Sequence, residues 1–355
     1  MTDLAAPPSV VVPPAPPAAR GSLLRSELRR FRSRRFIQIL LLLALLGYAL
    51  AIGLASTKAF SKTTPDQLAA AQRNVAEIVA EQNRFREQCL ANPGVFSQSA
   101  PADVSVEEVC GPPATAEAFP VEQFLDKQPF VLAGELPSGA VAIAVLVAAL
   151  SFLLGATYVG AEWSSRSMVA LLFWEPRRLK VMRVKLGVLV GACALLGLIS
   201  QVMWWGTAVV MARTLGRTGT LPKDFYPDLL GQQGRSIALA VFAGLLGFGI
   251  ANLVRNTGAA LGVGFVYFAV VENAVRGFRP SWQEWLLTDN AAALLLNGGH
   301  KIYLFNEGYV DERGAYIDSG REVLLSNLHG TAVLAGVTAV LVIVGVVLFQ
   351  RRDLH

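Results

Sequence analysis

Charge is what this sequence has least of. Only 16% of its 355 residues are Asp, Glu, Lys or Arg, against roughly a quarter in a soluble globular chain. With 53% hydrophobic residues, that shortage argues against a disordered protein and an ordinary cytosolic enzyme. Three cysteines are too few for a secreted disulfide scaffold. The three histidines, at 300, 329 and 355, are scattered, and no Cys/His group has metal-ligand spacing, so no metal site is expected. The chain has no G-x-x-x-x-G-K-[ST] loop to cradle nucleotide phosphates, no G-x-S-x-G elbow and no H-E-x-x-H pair, and therefore no assigned catalytic residues. Acidic or His chains running through the apolar segments, as a proton-coupled pump would need, are also missing. The net charge of +5 does not imply nucleic acid, because a membrane protein sorts its charges by side.

Long apolar runs are abundant. At about 1.5 Å per residue, about 20 apolar residues cross the hydrocarbon. Six stretches qualify: 36–56, 139–160, 186–212, 236–254, 257–275 and 331–350. The fifth reaches that length only by including Glu272 and Asn273. The other polar residues inside the runs are few, chiefly Gln38, Ser200, Gln201 and Asn252. Glycines at close spacing, Gly244, Gly247 and Gly249, then Gly258, Gly262 and Gly264, favour tight helix packing. Cys193, within the third run, reads as a packing residue. The fold class expected is an all-α membrane protein with six transmembrane helices.

Charge sets the orientation. With the N-terminus inside, the inner segments carry sixteen basic and five acidic residues, and the outer ones fifteen basic and twenty-one acidic. This places both termini in the cytoplasm, although Arg213 and Arg235 sit outside near span ends. Residues 1–20, with six prolines between Pro7 and Pro17, read as a polyproline-like tail rather than a secretory signal. Residues 21–35 form a basic amphipathic segment, with Leu23, Leu24, Leu28 and Phe31 near one face. It either lies in the headgroup plane against lipid phosphates or simply anchors the first span.

Residues 57–138 form the largest outer segment, an extracellular helical domain. Thr64-Pro65-Asp66-Gln67 is a capping-box helix start. Leu68, Ala71, Val75, Ile78, Phe85 and Cys89 then trace one apolar stripe over about 25 residues, ended by Asn92-Pro93-Gly94. Cys89 and Cys110 both lie outside, where an oxidising medium permits a disulfide; two free thiols are the alternative. Inside, residues 161–185 form a short elbow. Trp163, Met168, Leu171, Leu172, Phe173 and Trp174 are too apolar for a solvated loop, and either lie on lipid or present a face to a cytoplasmic partner. Residues 276–330 are outside and acidic. Trp282, Trp285, Leu286, Leu287 and the run Ala291–Leu296 are too short to span and suit an interfacial or re-entrant hairpin.

This layout resembles the membrane subunit of a bacterial type-2 ATP-binding-cassette exporter. The resemblance covers nearly the whole chain in layout, and three stretches carry it. The start Leu24-Arg25-Ser26-Glu27-Leu28-Arg29-Arg30 is similar to the family's Glu-Leu-Arg opening. In Glu162 through Lys185, the positions Glu162, Leu171, Leu172, Pro176, Arg178 and Lys185 match, while Arg166-Ser167 replaces the usual Gly-Thr. The ending Arg351-Arg352-Asp353 is similar to the family's C-terminus. The resemblance implies a plasma-membrane dimer, with a second copy or a paralogue. Each subunit would dock a separate cytoplasmic ATPase, which holds the ATP and Mg, so that this chain has no cofactor of its own. The coupling elbow would be Glu162, Trp163, Arg166, Met168, Leu171, Leu172, Pro176 and Arg178. By the same analogy the pathway lies between spans two and five, at Phe152, Tyr158, Phe265, Tyr267 and Phe268; each of these is otherwise an ordinary packing or lipid-facing aromatic. Gln201, beside Trp204 and Trp205, either contacts a substrate or hydrogen-bonds a neighbouring helix.

Export of a hydrophobic or amphipathic compound (drug, lipid or peptide) is then the expected function, with membrane lipids as the other partner and no nucleic acid. The alternative is a membrane sensor or assembly subunit whose extracellular domain binds a ligand or partner and moves nothing. Twenty-four Arg against seven Lys suggests a GC-rich bacterial genome.

Overall fold

Apolar length becomes helix wherever the sequence predicts a span. The computed structural model describes residues 23–92, 105–165, 167–304, 309–310, 316–317 and 320–351. The expected Pro-rich tail, the Pro93-Gly94 helix stop, Arg166, Arg352 and Asp353 lie outside these residues. Among the described residues, six helices are long and apolar enough to cross a membrane: Arg35–Ala59, Leu132–Ser164, Arg178–Leu215, Phe225–Val254, Thr257–Phe278 and Asn327–Arg351, here spans 1 to 6. The chain is therefore a mostly helical, multi-pass membrane protein. Several helices begin earlier than their apolar runs: span 2 at Leu132 rather than 139, span 3 at Arg178 rather than 186, span 4 at Phe225 rather than 236. The added turns carry Glu135, Lys185, Gln232 and Arg235. Hydropathy reads only the apolar middle, whereas the backbone stays helical as long as its hydrogen bonds can be made within the helix.

Spans 2 and 4 form the centre. A Cβ on Gly155 would run into the Gly244 carbonyl oxygen, and one on Gly247 into the Phe152 carbonyl oxygen. Absence of side chains is what lets these backbones approach. The expected packing glycines Gly244 and Gly247 lie at this contact, and the Cys193 thiol is buried against Gly244. Span 3 is fastened to span 2 by side chains that donate to backbone. Trp204 Nε1 bonds the Leu136 carbonyl at 2.9 Å and Gln201 Nε2 the Ala140 carbonyl at 3.1 Å. Span 1 stands at the edge. Ile37 is buried, but Leu42, Leu43, Leu46 and Leu50 are exposed, and its main polar tie along the span is Tyr48 to Thr207 at 2.6 Å.

The helix Pro65–Ala91, between spans 1 and 2, starts on the expected box. Thr64 Oγ1 accepts from Gln67 N at 3.3 Å, and Thr64 N donates to Gln67 Oε1 at 3.1 Å. Cys89 and Cys110 form a disulfide, with Cα atoms 5.8 Å apart. The apolar stripe is only partly used. Ala71, Val75 and Cys89 are buried, while Leu68 and Phe85 are exposed. The segment after the disulfide is instead held by polar contacts, Asn83 with Ala114 at 3.0 and 2.9 Å and Arg86 with the Gly111 carbonyl at 2.8 Å.

The all-helical expectation needs correction: besides two-residue pairings of Phe130–Val131 with Gly216–Arg217 and of Tyr309–Val310 with Tyr316–Ile317, there is a longer ribbon. After a buried helix, Leu287–Leu295, an antiparallel ribbon pairs His300–Leu304 with Arg321–Leu325, His300 opposite Leu325 and Leu304 opposite Arg321. Ile302 and Leu304 face inward while Lys301 and Tyr303 face out, a period of two that is too brief to stand out in sequence.

Candidate functional site

The amphipathic helix Leu23–Ser33 does not meet the rest of the chain with its leucines. Leu24 and Leu28 are exposed, and Glu27 and Phe31 are the buried residues. Phe31 stacks edge-on against Tyr158 at 5.1 Å. Glu27 Oε2 accepts from Lys185 Nζ at 2.7 Å and from the Tyr158 hydroxyl at 2.9 Å. Lys185 also pairs with Glu162 Oε2 at 2.7 Å. Arg34 closes the group by pairing with Glu162 Oε1 at 2.5 Å and donating to the Thr157 and Tyr158 carbonyls at 3.2 and 2.8 Å. Glu27, Glu162 and Lys185 are essentially without solvent contact. Two carboxylates are therefore neutralised in an apolar setting by Lys185 and Arg34, with the half-exposed Arg30 guanidinium a further 3.5 Å partner of Glu27. Any one of them left alone there would cost about 3–5 kcal/mol. The knot joins the amphipathic helix, span 2 and span 3.

The elbow between spans 2 and 3 carries a short helix, Ser167–Trp174. Of the residues expected on it, Glu162 belongs to the knot, and Met168 and Leu171 are buried. Trp163 Nε1 donates to Asn252 Oδ1 at 3.1 Å, its ring packs against Phe349 at 5.8 Å, and the Arg255 guanidinium lies 4.6 Å over it. Arg178 donates to the Phe349 and Gln350 carbonyls at 3.1 and 3.2 Å, satisfying the open end of span 6. Leu172 is half-buried and Pro176 exposed. Phe173, at 85% exposure, is the most exposed large apolar side chain among the described residues of the elbow. The Lys180 ammonium, 2.5 Å from Glu175, holds that half-buried carboxyl below its usual range. The elbow thus touches spans 2, 3, 4 and 6, so a push on it reaches most of the bundle.

Toward the other end, spans 2, 4, 5 and 6 and the helix Leu287–Leu295 surround an open apolar cleft of about 630 Å³, within the size range of ligand sites. Phe152, Phe265 and Phe268 line it, opposite Phe242 and Leu246, with Leu334 and Thr338 from span 6. The Phe152 ring sits against Gly264, where a Cβ would come within 2.7 Å of it. Span 5 has a π-helical turn at Tyr267–Val271 beside the cleft, a local widening that recurs at functional sites. The mouth is braced. Glu272 accepts from Thr288 N at 3.1 Å and from the Thr288 hydroxyl, and Arg276 pairs with Asp289 at 2.9 Å and with Glu272 at 3.6 Å. A carboxylate of span 5 thereby caps the first turn of Leu287–Leu295.

The expected pathway residues separate into two groups. Phe152, Phe265 and Phe268 converge on the cleft. Tyr158 is buried in the charge knot, Gln201 makes the helix-to-helix hydrogen bond, and Tyr267 accepts from Leu287 N at 3.3 Å beneath the hairpin. Those three make hydrogen bonds between elements and are not among the residues that line the cleft. The partnership of Glu27 with Lys185 was not readable along the chain, since the residues are 158 positions apart. The hint that was present is that Glu27 is the one acidic residue in the otherwise basic stretch 21–35, spaced between Leu24 and Phe31. Among the described residues no group of His, Cys, Asp or Glu has the geometry for a metal ion. No protein-family model and no curated protein matches the sequence.

Proposed function

We propose that the chain is the permease subunit of a type-2 ATP-binding-cassette exporter in a bacterial plasma membrane, with both termini cytoplasmic. It works as a dimer, and each copy docks a separate ATPase that carries the ATP and Mg. The observation that supports this most is the charge knot: Glu27, Glu162 and Lys185, which stand in two separate stretches of the family resemblance, meet within 2.7 Å contacts. An ATPase seated on the elbow, with Phe173 in its groove, moves the elbow helix. Glu162 and Arg178 carry that movement to spans 3 and 6 and to the amphipathic helix. The cleft between spans 2 and 5 then changes width and passes a hydrophobic or amphipathic compound outward. Its lining selects by apolarity and size rather than by hydrogen bonds.

The test is co-purification of the tagged full chain from native membranes, with partners identified by mass spectrometry. A cassette ATPase is expected with wild type and is lost with Phe173→Asp, whose exposed position leaves the fold intact. Stable recovery of the chain without any ATPase would overturn the exporter reading and move the function to the disulfide-bonded outer domain as a sensor or assembly module.

A further inference from the structure

A second opening lies at the elbow end, independent of the cleft and of the exporter reading. A trough of about 550 Å³ runs between the first turn of span 1 and the first turn of span 5. Its two halves differ in chemistry. Arg35, Ser165 and Thr257 are on the polar half, and Phe36 and Leu261 on the apolar half. Arg34 and Glu162 also border it, but they are committed to each other at 2.5 Å. Arg35 is not committed: its side chain is exposed and makes no hydrogen bond or ion pair among the described residues. The Thr257 hydroxyl is buried against Gly160 without a hydrogen-bond partner. A neighbouring hollow of about 320 Å³ is lined by Arg30, whose half-exposed guanidinium reaches Glu27 only at 3.5 Å. Arg30, Arg34, Arg35 and Lys185 face only two carboxylates, Glu27 and Glu162, and this end is left with an excess of positive charge.

We propose that this trough holds one acidic phospholipid of the adjoining leaflet. The phosphate sits between the Arg35 guanidinium and the Ser165 and Thr257 hydroxyls, and an acyl chain lies along Phe36 and Leu261. A basic group at a membrane surface attracts an anionic headgroup, and a guanidinium matches phosphate geometry. A free phosphate has no use for the apolar half. A zwitterionic lipid brings a cation toward Arg30 and Arg35, which disfavours it. The site seats the start of span 1, otherwise the least supported span, against span 5 through the lipid itself.

Native mass spectrometry of the full chain tests this after release from nanodiscs of equal parts phosphatidylglycerol and phosphatidylcholine. Wild type is expected to retain one phosphatidylglycerol. Arg35→Ala is expected to lower its occupancy about fivefold, the equivalent of about 1 kcal/mol for one basic group at a membrane surface. Thr257→Val, which preserves packing on Gly160, is expected to lower it by a smaller factor. Arg29→Ala removes the same charge from an exposed position elsewhere on the helix and is expected to leave occupancy unchanged. The proposal is overturned if Arg29→Ala matches Arg35→Ala, which would mean diffuse attraction to a basic surface. Equal retention of phosphatidylcholine also overturns it, as does displacement by soluble glycerol phosphate, which would reveal a plain anion site. Undiminished lipid on Arg35→Ala would sink it outright.

Discussion

At the elbow end, Glu27, Arg34, Glu162 and Lys185 meet in a setting that is otherwise apolar. At the cleft, five elements meet with almost no polar group between them. Both lie within the same bundle and both touch span 2, yet they constrain it differently. A buried ion group has essentially one satisfactory arrangement, since a displaced partner leaves a charge uncompensated. Apolar walls tolerate sliding, because many packings are nearly equal in energy once volume is matched. The knot therefore suits the transmission of a movement, and the cleft suits a change of shape.

Lys185→Met tests the stiff end and carries the largest expected effect. It leaves two buried carboxylates with only Arg34 on Glu162 and the longer, half-exposed Arg30 contact on Glu27, and a loss of about 3–5 kcal/mol is expected. The readout is the thermal midpoint of the detergent-solubilised chain by fluorescence-detected gel filtration. A midpoint within a degree of wild type would show that the knot contributes nothing to the fold. The disulfide-bonded segment between spans 1 and 2 serves as a control apart from both ends. Cys89→Ser opens a disulfide of sequence separation 21, worth about 3 kcal/mol by loop entropy. Proteolysis of the segment around 105–125 should accelerate while the bundle midpoint holds. A falling bundle midpoint would mean that the outer domain supports the spans.

Ala148→Trp fills the cleft. It is expected to change stability by no more than about 1 kcal/mol, because the side chain enters open space and not a packed core. ATP-driven uptake of an apolar dye into inverted vesicles should fall several-fold. A loss of folding instead of transport would mean that the cleft closes in the resting protein. Phe173→Asp has the smallest effect expected on stability, within about 0.5 kcal/mol for a surface position, measured by the same midpoint. Its consequence should appear only in recovery of the ATPase.

Much of this architecture is legible along the chain because it follows from local repetition. A run of about 20 apolar residues implies a span, and Thr64 through Gln67 implies a helix start whatever the surroundings. Gly244 and Gly247 announce a close helix contact, although not which helix would fill it. The elbow residues were legible as a group by their apolarity, but their individual roles were not. Trp163 and Arg178 look like docking surface in sequence and prove to be internal fastenings. Tyr158 looks like a pathway aromatic and is a hydroxyl donor to Glu27. The ribbon at His300–Leu304 was missed because five residues carry too few alternations to be told from a polar loop.

What the sequence determined by itself was the environment and the number of crossings. Both depend on composition and on a length set by the bilayer. Only the tertiary structure decided which isolated charges would become partners and which aromatics would face open space. Glu27, Glu162 and Lys185 are each unfavourable in an apolar setting when considered singly, and favourable only as a group. That grouping requires three helices to be placed side by side, and helix placement is fixed by packing between segments that are distant in the chain.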